Sequence, residues 1–347
     1  MKISPLSALS SCVKVLLVLT TSLATAQKIT TFDFPNGFAT TPVGISQFGQ
    51  VVGYYGDLKT GTLRGFVRNP NGTMSSFGAQ GSGLTVPTAI NAWGQITGYF
   101  GLQQNSGYFE IGFVRSPLGK MTTFSVPDRM ITLPEDISVA GEVVGYYEDE
   151  VQTTHGFIRH AGGGISSFDA GPSFFGGGTI ALGINAWGRS TGSYKDLQFV
   201  LQHGFVMKAD GTMESFDAPG AANTAPQAIN TIGQITGSFS DANQVNHGFL
   251  RNPDGTIDTF DVPDATNTWA VAINDRGQVI GSYSDAVSDL HGFVRQPSGK
   301  FKTFDVQNAV STVPMGINAS GEVTGVYTDS TGDQHGFVTG SFKPNGH

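Results

Sequence analysis

Residues 335–347 read HGFVTGSFKPNGH, and the phrase breaks off just where a phenylalanine is due. Six earlier Gly-Phe pairs end in Phe66, Phe113, Phe157, Phe205, Phe249 and Phe293. Each is followed eleven positions later by a second phenylalanine: Phe77, Phe124, Phe168, Phe216, Phe260 and Phe304. The partner of Phe337 would fall at position 348, one past the last of the 347 residues. At the other end, KITTFDFP (28–35) carries the same Thr-Phe-Asp phrase with nothing of its repeat before it. Phe32 stands thirteen residues before Ile45, the offset also found from Phe77 to Ile90 and from Phe216 to Ile229. The phrase absent from the tail is present at the head.

Between these ends one pattern recurs seven times. Its first half is A-I-N-x-x-G-Q-V-x-G-x-Y, seen as AINAWGQITGYF (89–100), AINTIGQITGSF (228–239) and AINDRGQVIGSY (272–283). Its second half is H-G-F-x-R-x-P-D-G-T-x-x-T-F-D. Successive Gly-Phe pairs lie 47, 44, 48, 44, 44 and 44 residues apart. Each copy reads as four strands. Strand A ends in the Ile of A-I-N, and the Asn-x-x-Gly after it is a turn in which Asn caps the backbone and Gly supplies a positive φ. Strand B is V-x-G-x-Y, alternating and β-branched. Strand C is G-F-x-R, closed by a Pro-Asn-Gly or Pro-Asp-Gly hairpin onto strand D, T-x-x-T-F-D. A four-stranded antiparallel unit of this length is a propeller blade. The expectation is an all-β, seven-bladed β-propeller, its ring closed by the N-terminal strand completing the last blade. An open solenoid would need distinct polar caps, which the sequence does not show.

The bulk composition agrees. Charged residues are only 13% of the chain and glycine supplies 48 positions, which suits short strands and tight turns. Residues 1–26 read as a signal peptide: Lys2 and Lys14 precede the apolar run VLLVL (15–19), and Ala24-Thr25-Ala26 fits a cleavage site. The run is too short to span a bilayer, and no later one is longer. The expected mature domain, 27–347, holds no cysteine, since Cys12 is the only one. Secretion to the extracellular space or periplasm, without disulfides, is therefore expected. Removing Lys2 and Lys14 from the 19 basic residues leaves 17 against 27 acidic ones, a net charge of −10. No basic run survives, which disfavours nucleic acid as a partner.

The A-I-N-x-x-G-Q-V-x-G phrase followed by H-G-F resembles the bacterial extracellular repeat family named for its His-Ala-Phe (HAF) signature. Gly stands for Ala in every copy here, and Val/Ile/Leu-Arg for the usual Leu-Trp. The resemblance covers nearly the whole mature chain and implies secretion and a propeller-like fold. The family carries no agreed chemistry, so it assigns no catalytic residue.

Five histidines occupy one slot, His155, His203, His247, His291 and His335, each with an aspartate six or seven residues ahead: Asp149, Asp196, Asp241, Asp285 and Asp329. A site is needed once, whereas a group recurring from blade to blade points to a structural hydrogen bond bracing the B–C loop. Asp33, Asp169, Asp217, Asp261 and Asp305 read as turn or capping residues, and Arg68, Arg115, Arg159, Arg251 and Arg295 as solvated or salt-bridged strand positions. SDANQVN (240–246), SDAVSDL (284–290) and TDSTGDQ (328–334) cluster oxygen donors that would suit calcium, but none has EF-hand or nonapeptide spacing. No cofactor is expected. G-x-S-x-G, H-E-x-x-H and P-loop motifs are absent.

Departures from the repeat carry the functional reading. They gather in copies 2 to 4. The B–C loop of copy 2 is lengthened to GLQQNSGYFEI (101–111), bearing Tyr108 and Phe109. Glu135 and Asp136 enter strand A of copy 3, where the second position is otherwise Gly or Ala. Copy 4 has the longer incoming loop GPSFFGGGT (171–179), with Phe174 and Phe175, and Phe199 in its B–C loop. Trp269 lies in the incoming segment of copy 6, while Trp93 and Trp187 fall in A–B turns at the opposite end. Aromatic faces beside carboxylates suit a sugar or a protein partner. The expectation is a secreted, monomeric, non-catalytic recognition or scaffold module binding carbohydrate or extracellular protein. The alternative is an extracellular carbohydrate-active enzyme, a polysaccharide lyase or glycoside hydrolase, using Glu135 and Asp136. Adjacent residues on a regular strand face opposite ways, which disfavours that pair as a dyad. Alternatively, Phe174 and Phe175 fill a packing gap and Asp136 caps a turn.

Overall fold

The computed structural model describes residues 27–104, 107–171, 177–196 and 201–342. Residues 1–26, which hold the expected signal peptide, lie outside them. The described residues form 28 strands and no helix, and hence none long and apolar enough to cross a membrane. The chain is all-β and of the propeller type. Each repeat is an antiparallel meander in the order A-B-C-D, as in Leu84–Ile90, Ile96–Gln104, Gly107–Arg115 and Met121–Phe124 of repeat 2. Neighbouring repeats share at most a single parallel bridge along the ladder, such as Leu63 with Leu84 or Leu290 with Ser311. They are joined by side-chain packing rather than by a continuous sheet.

That packing explains the repeat phrase. The strand C phenylalanines, Phe66 through Phe337, are fully buried. Each meets the strand D phenylalanine of the preceding repeat edge-on, with ring centroids 6.2 Å apart for Phe77 and Phe113 and 6.0 Å apart for Phe304 and Phe337. Burying one such ring is worth about 1.5–3 kcal/mol. The strand D ring also lies flat over the Gly of its own Gly-Phe pair: a Cβ at Gly204 would stand 2.9 Å from Phe216 Cζ. This close approach is why the phrase reads H-G-F. The arginines meet the sequence expectation only in part: Arg251 is salt-bridged to Glu214 at 2.6 Å, but the slot is not a solvated one. Arg68, Arg159 and Arg251 are buried, and Arg68 stacks 4.8 Å from the centroid of Phe32 and Arg251 4.9 Å from that of Phe216. A guanidinium is weakly hydrated and planar, so it can enter an aromatic seam where a lysine would not.

Head and tail meet in one ladder. Ile29–Phe32 pairs antiparallel with strand C of repeat 7, Gln334–Thr339, in the register Ile29 with Thr339 and Phe32 with Gly336. Gln27 Nε2 donates to the Gly340 carbonyl at 2.6 Å, and the Gly340 amide to the Lys28 carbonyl at 2.7 Å. Phe32 then packs on Phe66 of repeat 1 at 6.1 Å, as any strand D phenylalanine packs on the next repeat. Strand D of this unit arrives from the N-terminus, and among the described residues no C–D hairpin follows Gln334–Thr339. Phe342 takes that hairpin's place. It packs against the Gly321 turn, where Pro70, Pro117, Pro253 and Pro297 pack in repeats 1, 2, 5 and 6. Its amide donates to the Gly321 carbonyl at 2.8 Å, and its carbonyl accepts from Gln278 Nε2 at 2.6 Å.

Near the A–B turns a second set of contacts runs from repeat to repeat. Asn185 Nδ2 donates to the Asn230 carbonyl, Asn230 to Asn274, Asn274 to Asn318, and Asn318 to Ser46 of repeat 1, at 3.0–3.3 Å. Asn91 reaches Ser138 in the same way. The Asn of A-I-N therefore has two tasks: its Oδ1 caps its own turn and its Nδ2 ties the next repeat.

Candidate functional site

The end carrying the D–A and B–C connections differs most between repeats. In repeat 2 the expected long loop is instead a lengthened hairpin. Strands B and C run nine residues each, with Leu102 opposite Phe109 and Gln103 opposite Tyr108. Tyr108 is 44% exposed, with the hydroxyl end of its ring lying over Gly101, and Phe109 is partly buried. A tyrosine on a hairpin loses less freedom on binding than one on a loop.

Beside this hairpin lies Glu135, and its strand is not regular. The ladder between strands A and B of repeat 3 slips between Pro134 and Asp136, so Glu135 is the extra residue of a β-bulge. The same slip occurs in each of the other repeats, and the Gly of strand B lets the backbones close: a Cβ on Gly145 would collide with the Leu133 carbonyl. A bulge breaks strict alternation, so the opposite-faces argument does not apply to Glu135 and Asp136. Their environments separate them instead. Asp136 Oδ1 accepts from the Ile137 amide at 2.8 Å and Oδ2 from the Ile184 amide of repeat 4 at 2.9 Å. Asp136 is thus a brace between repeats, at the slot where Gly44 and Gly183 let the next strand approach. Burial pushes its carboxyl up to about 6, against the pull of those two amides. Glu135 has no such amide partners among the described residues, and burial, followed by the Asp136 charge, pushes it up to about 7.

Two phenols near Glu135, Tyr99 and Tyr146, and two further carboxylates near those phenols, Glu110 and Glu148, escaped single-residue reasoning. Tyr99 and Tyr146 are pushed up to about 12, by burial first and then by carboxylates: Glu110 and Glu135 for Tyr99, Glu135 and Glu148 for Tyr146. Glu110 is itself raised by burial and by Glu148. No Lys or Arg forms an ion pair with Glu110, Glu135 or Glu148 among the described residues. The available signal was the residue after the strand B glycine. It is Tyr54, Tyr99 and Tyr146 in repeats 1 to 3, but Ser193, Ser238, Ser282 and Val326 in the others.

The remaining expected residues divide. Trp269 sits in strand A of repeat 6, Asn267–Ile273, opposite Ser282 and half-buried, rather than in a loop. Phe174, Phe175 and Phe199 lie outside the described residues. At the opposite end, the A–B turns expose Phe48 by 64%, Trp93 by 64%, Trp187 by 69% and Ile232 by 60%. The same turns line a cavity of about 200 Å³ with Ile45, Asn91, Ile184 and Asn274 in its wall, but these four exposed side chains are not part of its lining.

The repeated histidines are braces, and more fully tied than the spacing implied. Nδ1 of His155 lies 2.9 Å from Asp169 Oδ1 and Nε2 lies 3.4 Å from Asp149 Oδ2, while the ring stacks on Tyr147. The strand D aspartates are therefore histidine partners as well as turn residues. His335 makes the same pair of contacts, with Asp329 and, across the closing ladder, with Asp33 at 2.8 Å. The loop aspartates spend their oxygens on backbone amides, as Asp241 does on Asn243 and Val245. Among the described residues no three His, Cys, Asp or Glu side chains converge to hold a metal.

These pairs have a sign. Partial burial lowers the imidazole of His335, but its hydrogen bonds and charge contacts with Asp33 and Asp329 outweigh this and raise it. A raised folded-state value contributes stability that is complete below the unfolded value and is lost as pH climbs through the folded one. Thermal unfolding is expected to come at a lower temperature at about pH 9 than at about pH 6. His335→Gln should flatten part of that slope. An unchanged slope would show that the pair does not contribute.

No family model and no curated protein matches the sequence. Solved structures do match by shape. The β-propeller domain of the Trilobed protease from Pyrococcus furiosus has a TM-score of 0.58 at 10% identity, covering 88% of this chain and 95% of that one. Puromycin hydrolase, as its S511A mutant, gives 0.55 at 13% identity over 90% of this chain and 52% of that one. The acylaminoacyl peptidase of Pyrococcus horikoshii gives 0.56 at 12% identity over 87% and 51%. The chain thus spans about half the length of puromycin hydrolase and of the acylaminoacyl peptidase, and nearly all of the propeller domain. At these identities the likeness shows the fold alone.

Proposed function

We propose that the seven repeats are the blades of a ring closed through Ile29–Phe32, and that the molecule is a secreted, non-catalytic module that recognises carbohydrate at the D–A and B–C end of blades 2 and 3. The ring reading is supported by the head-to-tail ladder, by Phe32 on Phe66, and by the Asn318–Ser46 bond. Secretion is supported by the leader-like residues 1–26 and by the resemblance to the HAF repeat family.

One observation carries the binding reading. Glu110, Glu135 and Glu148 gather with Tyr99 and Tyr146, without a protein cation, beside the exposed ring of Tyr108. Carboxyl and phenol groups exchange directional hydrogen bonds with hydroxyls, and an aromatic face covers the apolar side of a sugar. Three acids repel an anionic ligand, so the glycan is a neutral one. Calorimetric titration with neutral oligosaccharides is expected to show saturable binding, weakened about tenfold by Glu135→Gln or Tyr108→Ala, which is about 1.4 kcal/mol. Equal affinity in both variants, with melting unchanged, would remove this site.

A second reading has its own observation. A carboxyl near 7 is where a general acid operates at neutral pH. Asp136, held by two amides, is a poor second member of a catalytic pair. An enzyme would instead use Glu135 with Glu110 or Glu148. Release of reducing ends or of unsaturated sugars, abolished by Glu135→Gln, would favour the enzyme over the binder.

A further inference from the structure

The closing joint, where the N-terminal strand lies between repeats 7 and 1, holds a buried cation that nothing neutralises among the described residues. Arg68 is 8% exposed and stacks on Phe32. Arg251 occupies the same place on Phe216, but there Nη2 donates to Glu214 Oε1 at 2.6 Å. Glu214 stands opposite Val206 in its ladder, two residues before Phe216. At the closing joint that slot belongs to Thr30, opposite Val338 and two residues before Phe32. A threonine supplies no charge. Among the described residues Arg68 has one hydrogen bond, from Nη1 to the Asn69 carbonyl at 3.4 Å, and no ion pair. Burial lowers its guanidinium from the ordinary arginine value, with no carboxylate to oppose the shift. A buried charge left unpaired is costly, and it marks a place where a counter-charge belongs.

The joint also has room for one. A cavity of about 240 Å³ lies there, lined by Arg68 with Lys28, Phe48, Pro70, Glu322 and Gly340. Gly340 accounts for the space. In repeats 1, 5 and 6 the residue at its position is Asn69, Asn252 or Gln296. Each accepts from the glutamine after the turn glycine, Gln50, Gln234 or Gln278, at 3.0–3.2 Å. Gly340 offers Glu322 no such side chain, and Glu322 Oε2 accepts from Asn318 Nδ2 at 2.7 Å. Lys28 and Arg68 against Glu322 leave the lining with one net positive charge, in a chain of net charge −8. Such a lining favours a monoanion. The equivalent arginine shows which group suits it, a carboxylate, whose planar oxygens match the guanidinium fork. A phosphate dianion would bring a second charge toward Glu322. Phe48 and Pro70 add apolar wall, and the volume is below the roughly 300–1,000 Å³ of sites for drug-sized ligands. We propose that this cavity binds a small organic monocarboxylate, with its charge on Arg68 and Lys28 and its body against Phe48 and Pro70. Lys28 adjoins the N-terminal strand and Arg68 belongs to repeat 1, so the ligand would tie the ring's closure across the joint. The site is independent of the glycan site proposed at the other end.

The test is calorimetric titration and thermal unfolding of the mature protein with sodium benzoate, hexanoate and glucuronate. Benzamide and inorganic phosphate at equal ionic strength are the controls. At least one carboxylate is expected to bind and to raise the melting temperature, while both controls do neither. Thr30→Glu gives Arg68 the counterpart that Glu214 gives Arg251. It should raise the melting temperature without ligand and weaken carboxylate binding at least tenfold. Arg68→Met should weaken it as much, and should fold, because Met207 fills that slot in repeat 4 and is buried there. Tyr108→Ala with Glu135→Gln should leave this binding intact. No binding by any of the three carboxylates overturns the proposal. So does binding undiminished by Thr30→Glu or Arg68→Met, or phosphate bound in preference to all three. Carboxylate binding seen only once residues 343–347 are removed would give the cavity to the protein's own end and overturn it too.

Discussion

Deleting residues 27–35 is expected to unfold the protein at a temperature lower by about 10 °C or more, and with reduced cooperativity. The deletion removes a four-residue ladder on Gln334–Thr339, the Phe32 ring on Phe66, the cation–π partner of Arg68 and the carboxylate of the His335 pair. The Phe32→Ala variant isolates the ring. It should cost about 3 kcal/mol, the low end for a phenylalanine truncation because Phe32 is only partly buried. A synthetic peptide covering 27–35, added to the truncated protein, should restore much of the loss by re-forming the strand in trans. A truncated protein that melts like the parent would show that the head-to-tail ladder does not stabilise the fold.

The second large effect is expected from Gly281→Ala in strand B of repeat 6. A Cβ there would collide with the Trp269 carbonyl and stand 2.9 Å from Phe293 Cε1, a fully buried ring. Both neighbours are fixed, the carbonyl by the bulged ladder and the ring by its edge contact with Phe260 at 6.3 Å. Neither can yield without disturbing the joint between repeats 5 and 6. The expected cost is about 3 kcal/mol, the upper range for overpacking. Gly83→Ala is the control. It has open space around it and an ordinary backbone, so the change should be neutral or stabilising by up to about 1 kcal/mol. Denaturant midpoints of the two variants check both expectations, and a tolerated Gly281→Ala would show that strands A and B can separate there.

The sequence alone settled what recurs. Strand type, turn chemistry and the fourfold unit were legible because each rests on local spacing: Asn-x-x-Gly turns, Pro-x-Gly hairpins, alternating strand B. The head-to-tail pairing was legible for the same reason, since a missing phrase can be found by its offset from Ile45. The salt bridge expected of the arginines is found at Arg251, with Glu214, but their burial was not legible, because the rings they stack on, such as Phe32 and Phe216, belong to the preceding repeat. The histidines were judged correctly as braces, but their second aspartate lies across a strand pair.

The candidate site was legible only in part. Glu135 and Asp136 stood out as broken pattern, yet a bulge decides which way they face, and an amide of repeat 4 engages Asp136 while no backbone amide engages Glu135 among the described residues. Glu110, Glu148, Tyr99 and Tyr146 are unremarkable until the packing of repeats 2 and 3 brings them together. A period read along the chain specifies each unit and the order of units. Which side chains meet across the joints, and which are left facing water, depends on how the units stack, because those contacts join residues far apart in the chain, 33 positions apart for Phe304 and Phe337.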